Sequence, residues 1–501
     1  MANMDIRKLK SGTDVRGVAS PILGRKVTLT GEAVERIARA FCSWLTCRTG
    51  KDTLKIALGN DSRITAAELV AAFERGAAKS GAEVCYTGLS STPSMFMILQ
   101  DKKRGYDGSV MITASHLPAD RNGLKFFTPE GGLESAEVDE ILDIAAEEKF
   151  TGGAGKVHED YFMDEYSAQL AERVRKACGS ERPLEGKKII VDAGNGAGGF
   201  FTEKVLKPLG ANTDGSLYLE PDGTFPHHAP NPEDKTAIET LKRAVLENHA
   251  DLGIIFDTDV DRAGAVDVKG EEINRNRLIA LISARLLAEK PGTIVTDSVT
   301  SDGLTKFIEE RGGRHHRYMR GYRNVIDECK RLNEAGEYSP LAVETSGHCA
   351  FKDNYFLDDG AYLVTEILII LSDQLKKGQR LADLIKGLEE PAEAAEIRPQ
   401  INCDDFREYG AKVLEEVERA AENIEGAAIA PNNYEGIRLN FDREHGDGWI
   451  LIRMSLHEAI LPINTESRSA GGCKKMAAAL LSMIKKFDKV DCSLLEKYIE
   501  S

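Results

Sequence analysis

The chain repeats one pattern that limits the folds open to it. A short apolar run ends in a polar, glycine-bearing loop, and helical periodicity follows. Residues 55–59 (KIALG) end in NDSR and precede a helical pattern over 65–80. Residues 83–87 (EVCYT) and 108–113 (GSVMIT) repeat it, the second running into ASHLPADRNG. The pattern restarts at 187–191 (KKIIV), before DAGNGAGG and a helix, and at 251–256 (DLGIIF), before DTDVDR. A third start comes at 293–296 (TIVT), before DSVTSDG and a helix, and at 341–343 (LAV), before ETSGHCAF. Strands alternating with helices predict parallel βαβ units, whose ligands bind beyond the strands' carboxyl ends. The last hundred residues differ: a helix over 406–421, strands over 436–440 and 449–455, and a helix over 474–486 after a Gly-Gly pair. The reading is an α/β chain of three similar mixed-sheet domains (1–156, 157–268, 269–388) and a smaller C-terminal α+β domain (389–501).

Lys and Arg total 65 against 81 Asp and Glu, a net charge of −16. That balance excludes a broad surface for nucleic acid or anionic membrane, but not a cationic cleft for a phosphorylated small molecule. The nine cysteines include no C-x-x-C, which argues against a disulfide framework or zinc site and for a reducing compartment. No apolar run reaches the roughly 18 residues a membrane span needs, and the first residues lack a signal-peptide core. A cytoplasmic enzyme is expected, with monomer and dimer both open.

Four loops carry chemistry. In residues 113–125 (TASHLPADRNGLK), Ser115 follows a strand with His116 beside it and Lys125 ten residues on. A G-x-S-x-G elbow is absent, so an α/β-hydrolase is excluded. Asp257, Asp259 and Asp261 alternate after an apolar strand, and carboxylates so crowded call for a hard cation. Arg262 and Val268 occupy the positions where a calcium-hand loop needs Gly and Glu. Glu344, Ser346 and His348 follow a third strand, and Glu344 suits sugar hydroxyls as an acceptor. Arg453, Ser455 and His457 follow a fourth and suit a phosphate, which guanidinium meets bidentately. Gly194-x-Gly196-x-x-Gly199, with Glu220 placed at a strand end, also meets the dinucleotide fingerprint, which offers an NAD(P)-dependent oxidoreductase as a rival.

Together these loops resemble the α-D-phosphohexomutase superfamily, closest to its phosphomannomutase/phosphoglucomutase branch, over essentially the whole chain. Residues 12–17 (GTDVRG) are similar to its opening G-T-D-x-R-G, and residues 60–63 (NDSR) to its second turn. Residues 113–125 resemble its phosphoserine loop, 257–262 its metal loop D-G-D-G-D-R, 344–348 its sugar loop E-x-S-G-H, and 453–458 its phosphate loop. The resemblance implies four domains around a central cleft. Ser115 would carry a phosphoryl group, with Mg²⁺ between that phosphate and Asp257, Asp259 and Asp261. A hexose 1,6-bisphosphate would be both intermediate and activator. The reaction implied is the 1-phosphate/6-phosphate interconversion of mannose or glucose.

Arg16, Lys125 and Arg262 would stabilise the transferring group, with Lys125, His116 and His348 as candidate bases. Glu344, Ser346 and His348 would hold the sugar; Arg453, Ser455 and His457 would hold the other phosphate. Arg320 and Tyr322, where relatives differ, would add substrate contacts. The partners expected are hexose phosphates, with no nucleic acid and no membrane. A phosphoglucosamine mutase is the alternative within the class, and a mutase-derived sugar-phosphate sensor the alternative outside enzymes. Val260 replaces a family glycine and is expected to keep ordinary backbone angles, because only the carboxylates need to reach the ion.

Overall fold

A computed structural model describes residues 5–455 and 458–501 of the chain. Contacts divide it into two compact units, Met1–Asn274 with Ser346–Asp383, and Arg275–Thr345 with Leu384–Ser501. Among the described residues no helix is long and apolar enough to cross a membrane.

The first unit opens with a mixed sheet. The strands Lys55–Asn60, Glu83–Leu89 and Gly108–Ile112 run parallel. Arg121–Thr128 pairs antiparallel with Gly108–Ile112, and Asp14–Val18 pairs antiparallel with Arg121–Thr128. The register sets Lys125 opposite Met111 and Arg16 opposite Gly123. Arg16 and Lys125 therefore share a face of the sheet, because side chains alternate with period two. The helix Gly31–Thr49 buries Val34, Ile37, Phe41 and Leu45, spaced three and four apart, against a core with Phe73, Val110, Phe126 and Ile141. Thr30 caps its start by accepting from Ala33 N at 3.2 Å, and Gly50 ends it at φ +67°.

A second sheet in this unit pairs Ile189–Asp192 parallel to Leu252–Phe256, which is antiparallel to Ala263–Asp267. The helix Lys235–Glu247, capped by Asp234, makes the crossover. Further along the chain, Cys349–Phe351 and Leu357–Asp358 form a hairpin, and the helix Gly360–Lys376 follows, buried almost all round. It packs on Met163–Cys178, where Tyr166 Oη donates to Asp359 Oδ1 at 2.7 Å and Arg173 pairs with Glu366.

In the second unit Thr293–Asp297 lies between Arg314–Tyr318 and Leu341–Val343, all parallel. The C-terminal part is an antiparallel sheet in the order Glu393–Ile397, Ile463–Ser467, Gly448–Ile452, Ile437–Phe441, Ala427–Ile429. The helices Phe406–Ala421 and Gly472–Ile484 close its core around Leu439, Ile450, Ile463 and Leu480.

Two local expectations need correction. The glycine turn after Ile189–Asp192 leads into a 3₁₀ turn, Ala197–Gly199, and a π-helical turn, Thr202–Leu206, rather than an α-helix. Glu220 lies in irregular chain, not at a strand end; the chain before it is joined to the sheet by isolated bridges, Lys188 to Asn212 and Asp192 to Leu217.

Candidate active site

The strand Gly108–Ile112, buried throughout, ends at Thr113. Thr113 Oγ1 donates to Asp61 Oδ2 at 2.6 Å and accepts from Ser115 N at 2.9 Å. Ser115 then takes φ +50°, a left-handed conformation rare outside glycine. Arg63 clamps it there. Its buried guanidinium donates to the carbonyls of Leu117 (2.7 Å), Pro118 (2.8 Å), Arg121 (2.9 Å) and Ser115, and pairs with Asp61. A planar group with five donors suits a loop that folds its carbonyls inward. The sequence placed Asp61 and Arg63 in a familiar turn without a task; the signal was an oppositely charged pair directly after a buried strand.

Ser115 Oγ donates to Asp257 Oδ2 at 3.0 Å and lies 3.3 Å from His116 Nδ1. Lys125 Nζ donates to Asp259 Oδ2 at 3.1 Å and Asp261 Oδ2 at 2.5 Å. Arg262 binds Asp257 through Nε and through its backbone N–H, both at 3.2 Å. Thr92, which the sequence did not single out, donates to Asp259 through its hydroxyl and its N–H. Arg16 Nη2 pairs with Asp14 at 2.7 Å.

Charge follows this geometry. Burial, then the neighbouring Asp261 and Asp259, push the Asp257 carboxyl far up. Burial also works against the Asp261 anion, but Lys125, His348 and Arg262 outweigh it and hold that carboxyl well below its usual range. Burial, Arg262, Arg16 and His348 push the His116 imidazole down to about 2, so it stays neutral.

The residues present fit a metal ion. Asp257, Asp259 and Asp261 each offer an oxygen, all within 4.8 Å of one another. Asp259 Oδ1 and Asp261 Oδ1 are buried without a hydrogen-bond partner. Such oxygens are costly unless a cation meets them, and an all-oxygen set suits a hard one. The expectation for Val260 is corrected: it sits at φ +67°. Its N–H closes a turn on Asp257 O at 3.4 Å, its carbonyl accepts from Gly360 N at 3.1 Å, and its side chain is fully buried. Backbone strain of about 1–3 kcal/mol is thus set against a burial gain of about 1.5–3 kcal/mol.

The glycine turn is taken up by packing. A Cβ on Gly196 would lie 2.7 Å from Thr258 O, and one on Gly199 would lie 2.4 Å from Leu219 O. Ala197 N donates to Thr258 O at 2.8 Å, so the turn backs the acidic loop.

His348 reaches the same group from the hairpin. A single bridge pairs it with Arg262, and a ring nitrogen lies within 4.8 Å of an Asp261 oxygen. Ser346 precedes it, partly buried. The structure thus brings Arg16, Ser115, His116, Lys125, the three aspartates, Arg262 and His348 together in the first unit.

The remaining expected residues lie in the second unit. Glu344 follows Leu341–Val343 and accepts from Gly321 N at 2.6 Å. Tyr322 is the first residue of the helix Tyr322–Glu334. Arg320 Nε lies 3.8 Å from Asp297 Oδ2, which also accepts from Thr345 Oγ1 at 2.8 Å. Burial raises Asp297 while Arg320 opposes that. Arg453, at the end of Gly448–Ile452, lies 3.5 Å from Glu435 Oε1. Glu435 Oε2 accepts from Arg320 N at 3.0 Å and Ser298 Oγ at 2.5 Å, a junction the sequence did not reveal because its partners lie over a hundred residues away. Ser455 Oγ accepts from Glu458 N at 3.2 Å. His457 lies outside the described residues.

Three family models match in order: phosphoglucomutase/phosphomannomutase alpha/beta/alpha domain I over residues 8–152, domain II over 164–270 and domain III over 274–391. A phosphoglucomutase of Neisseria meningitidis is 30% identical over 480 residues, 95% of this chain and 96% of that one. A phosphomannomutase/phosphoglucomutase of Pseudomonas aeruginosa is 28% identical, with 95% of each chain covered. The crystal structure of a phosphoglucomutase/phosphomannomutase family protein from Burkholderia thailandensis superposes with a TM-score of 0.81 at 25% identity, covering 98% of this chain and 100% of that one. A serine among buried carboxylates, on three α/β/α domains, is the arrangement of the α-D-phosphohexomutases. The chain belongs to their phosphoglucomutase/phosphomannomutase family. It is accordingly an isomerase that moves phosphoryl groups, of a metal-dependent family.

Proposed function

We propose that this enzyme interconverts the 1- and 6-phosphates of glucose and mannose, with Ser115 as phosphoryl carrier and a hexose 1,6-bisphosphate as intermediate and activator. One observation carries the reading: Ser115 Oγ, held at φ +50°, is 3.0 Å from Asp257 Oδ2 beside two further buried carboxylates. Asp257, Asp259, Asp261 and the serine would hold Mg²⁺, which when bound offsets charge on the transferring phosphate.

In transfer, the Oγ–P bond breaks and an O–P bond to the free sugar hydroxyl forms. The hydroxyl proton passes to a base. His116, Lys125 and His348 are the candidates, each with a nitrogen at Ser115 or among the buried carboxylates. Lys125, Arg262 and Arg16 stabilise the charge that spreads over the phosphoryl oxygens. In the second unit, Glu344, with Ser346 from the same loop, would take sugar hydroxyls. Arg453, Ser455 and His457 would take the other phosphate, and Arg320 and Tyr322 would border the sugar. The nine cysteines, none in a disulfide, suit a cytoplasmic setting.

Intact-mass spectrometry tests the carrier: a fraction heavier by one phosphate is expected in the wild type and absent from Ser115→Ala. Turnover on glucose, mannose and glucosamine phosphates with Mg²⁺ and bisphosphate tests the substrate. Preference for glucosamine phosphate would replace the sugar assignment, and no turnover of any would sink the reading.

A further inference from the structure

We propose that a cavity between the strand Arg314–Tyr318 and the C-terminal sheet is a binding site for a small phosphate ester, built from residues other than those assigned to the hexose phosphate. The cavity holds about 250 Å³ and lies wholly in the second unit, lined by that strand and by residues 430–435, with Arg438 and Asn440. Ordinary ligand pockets begin at roughly 300 Å³, so its guest is small.

The charge of the cavity calls for an anion. Arg317 and Arg438 donate to the same carboxylate oxygen, Asp302 Oδ1, at 2.9 and 2.8 Å. One negative charge thus serves two guanidiniums. Both are held in place: Arg317 also donates to Ser301 O at 2.9 Å, and Arg438 donates to Ser298 O at 3.0 Å and stacks on Trp449 at 3.7 Å. Burial, then Arg317, pull the Arg438 guanidinium down to about 9, as crowding of buried cations does. Glu435 also lines the cavity, but Arg453 and the N–H of Arg320 already meet its carboxylate.

The lining also offers donors. Among the described residues, Arg317 Nη1 has no acceptor. Asn433 Oδ1 accepts from Arg438 N at 3.2 Å, which fixes that amide, and its Nδ2 is buried without a partner. Buried polar groups are costly until something meets them, and phosphoryl oxygens suit a guanidinium fork. The uncharged flank is aromatic, with the Tyr318 and Tyr434 ring centroids 5.0 Å apart. That face suits the carbon atoms of an ester rather than a bare ion.

Tryptophan fluorescence reads the site in the full-length protein. The chain has two tryptophans, so Trp44→Phe leaves Trp449, beneath Arg438, as the reporter. Titration with phenyl phosphate should give a saturable change. Its affinity should fall about tenfold or more in Arg317→Met, which removes a charged donor, and should hold in Arg453→Met. Arg317 also braces the loop at Ser301, so Asn433→Asp gives a second test. The carboxylate keeps the shape and the bond to Arg438 N but sets a negative charge where the NH₂ was. It should weaken binding by about tenfold or more with an unchanged melting profile. Inorganic phosphate, which lacks the ring, should bind more weakly than phenyl phosphate.

The absence of a saturable change in the Trp44→Phe protein would overturn the proposal. So would an affinity lost in Arg453→Met but kept in Arg317→Met and Asn433→Asp, because the anion would then occupy the substrate subsite. Inorganic phosphate bound as tightly as phenyl phosphate would overturn the choice of an ester. None of these readouts needs turnover, so this proposal and the mutase reading fail separately.

Discussion

Ser115 owes its conformation to Arg63, fifty-two positions earlier in the chain. One guanidinium holds four carbonyls of the serine loop and pairs with Asp61, both side chains fully buried. Arg63→Lys replaces the fork with a point charge, which cannot reach the same carbonyls together. It should cost on the order of 3 kcal/mol, as breaking a buried pair does, and lower turnover as well, read by denaturant melts and by assay. Glu466 gives a pH signature away from the site. It faces Trp449 across the C-terminal sheet and accepts from Trp449 Nε1 at 3.0 Å. Burial pushes its carboxyl up to about 7, against the pull of Arg438. The unfolded chain releases this proton near 4.5 and the folded protein near 7, so the folded state binds more protons in between. Stability therefore falls as pH rises through that window, by up to about 3 kcal/mol for this group. Glu466→Gln should lack this component, so its melting temperature should gain on wild type from pH 4.5 to 7 and hold that gain above.

Elements were readable where their cause is local. The strand Leu341–Val343 and the helix Phe406–Ala421 fall where apolar runs and helical spacing put them. The loops after the strands carried the reactive residue types, and the structure gathers one set of them around Ser115. What stayed hidden depends on distant chain. The turn Thr202–Leu206 is π-helical, and Val260 is left-handed because Asp257 and Gly360 fix both ends of its peptide units. No window of sequence contains both partners of Thr92 and Asp259, or of Glu435 and Arg320. The glycine turn illustrates the same limit. Its spacing fits a dinucleotide site, yet Gly196 and Gly199 let Thr258 and Leu219 approach closely. Gly196→Ala should push the Thr258 backbone and with it the acidic loop, costing about 1–3 kcal/mol and weakening Mg²⁺ activation. Titration of activity against Mg²⁺ and a thermal melt would check both effects.

At the scale of the molecule, the first unit is discontinuous: Met1–Asn274 is completed by Ser346–Asp383. The returning segment carries His348, Asp358 and the helix Gly360–Lys376, whose partner helix is Met163–Cys178. A fragment ending at Asn274 should therefore melt broadly and bind a hydrophobic dye, while adding residues 346–383 as a peptide should sharpen the transition. A sharp melt from the short fragment alone would refute this. The same discontinuity fixes an order of events during synthesis. A ribosome that has made Asn274 must add 109 more residues before Asp383 appears, which takes roughly 5–20 s at ordinary elongation rates. For that interval the nascent chain holds Ser115 and the acidic loop but neither His348 nor the helix Gly360–Lys376 that packs on Met163–Cys178. Slower elongation between residues 275 and 383 lengthens that interval and faster elongation shortens it.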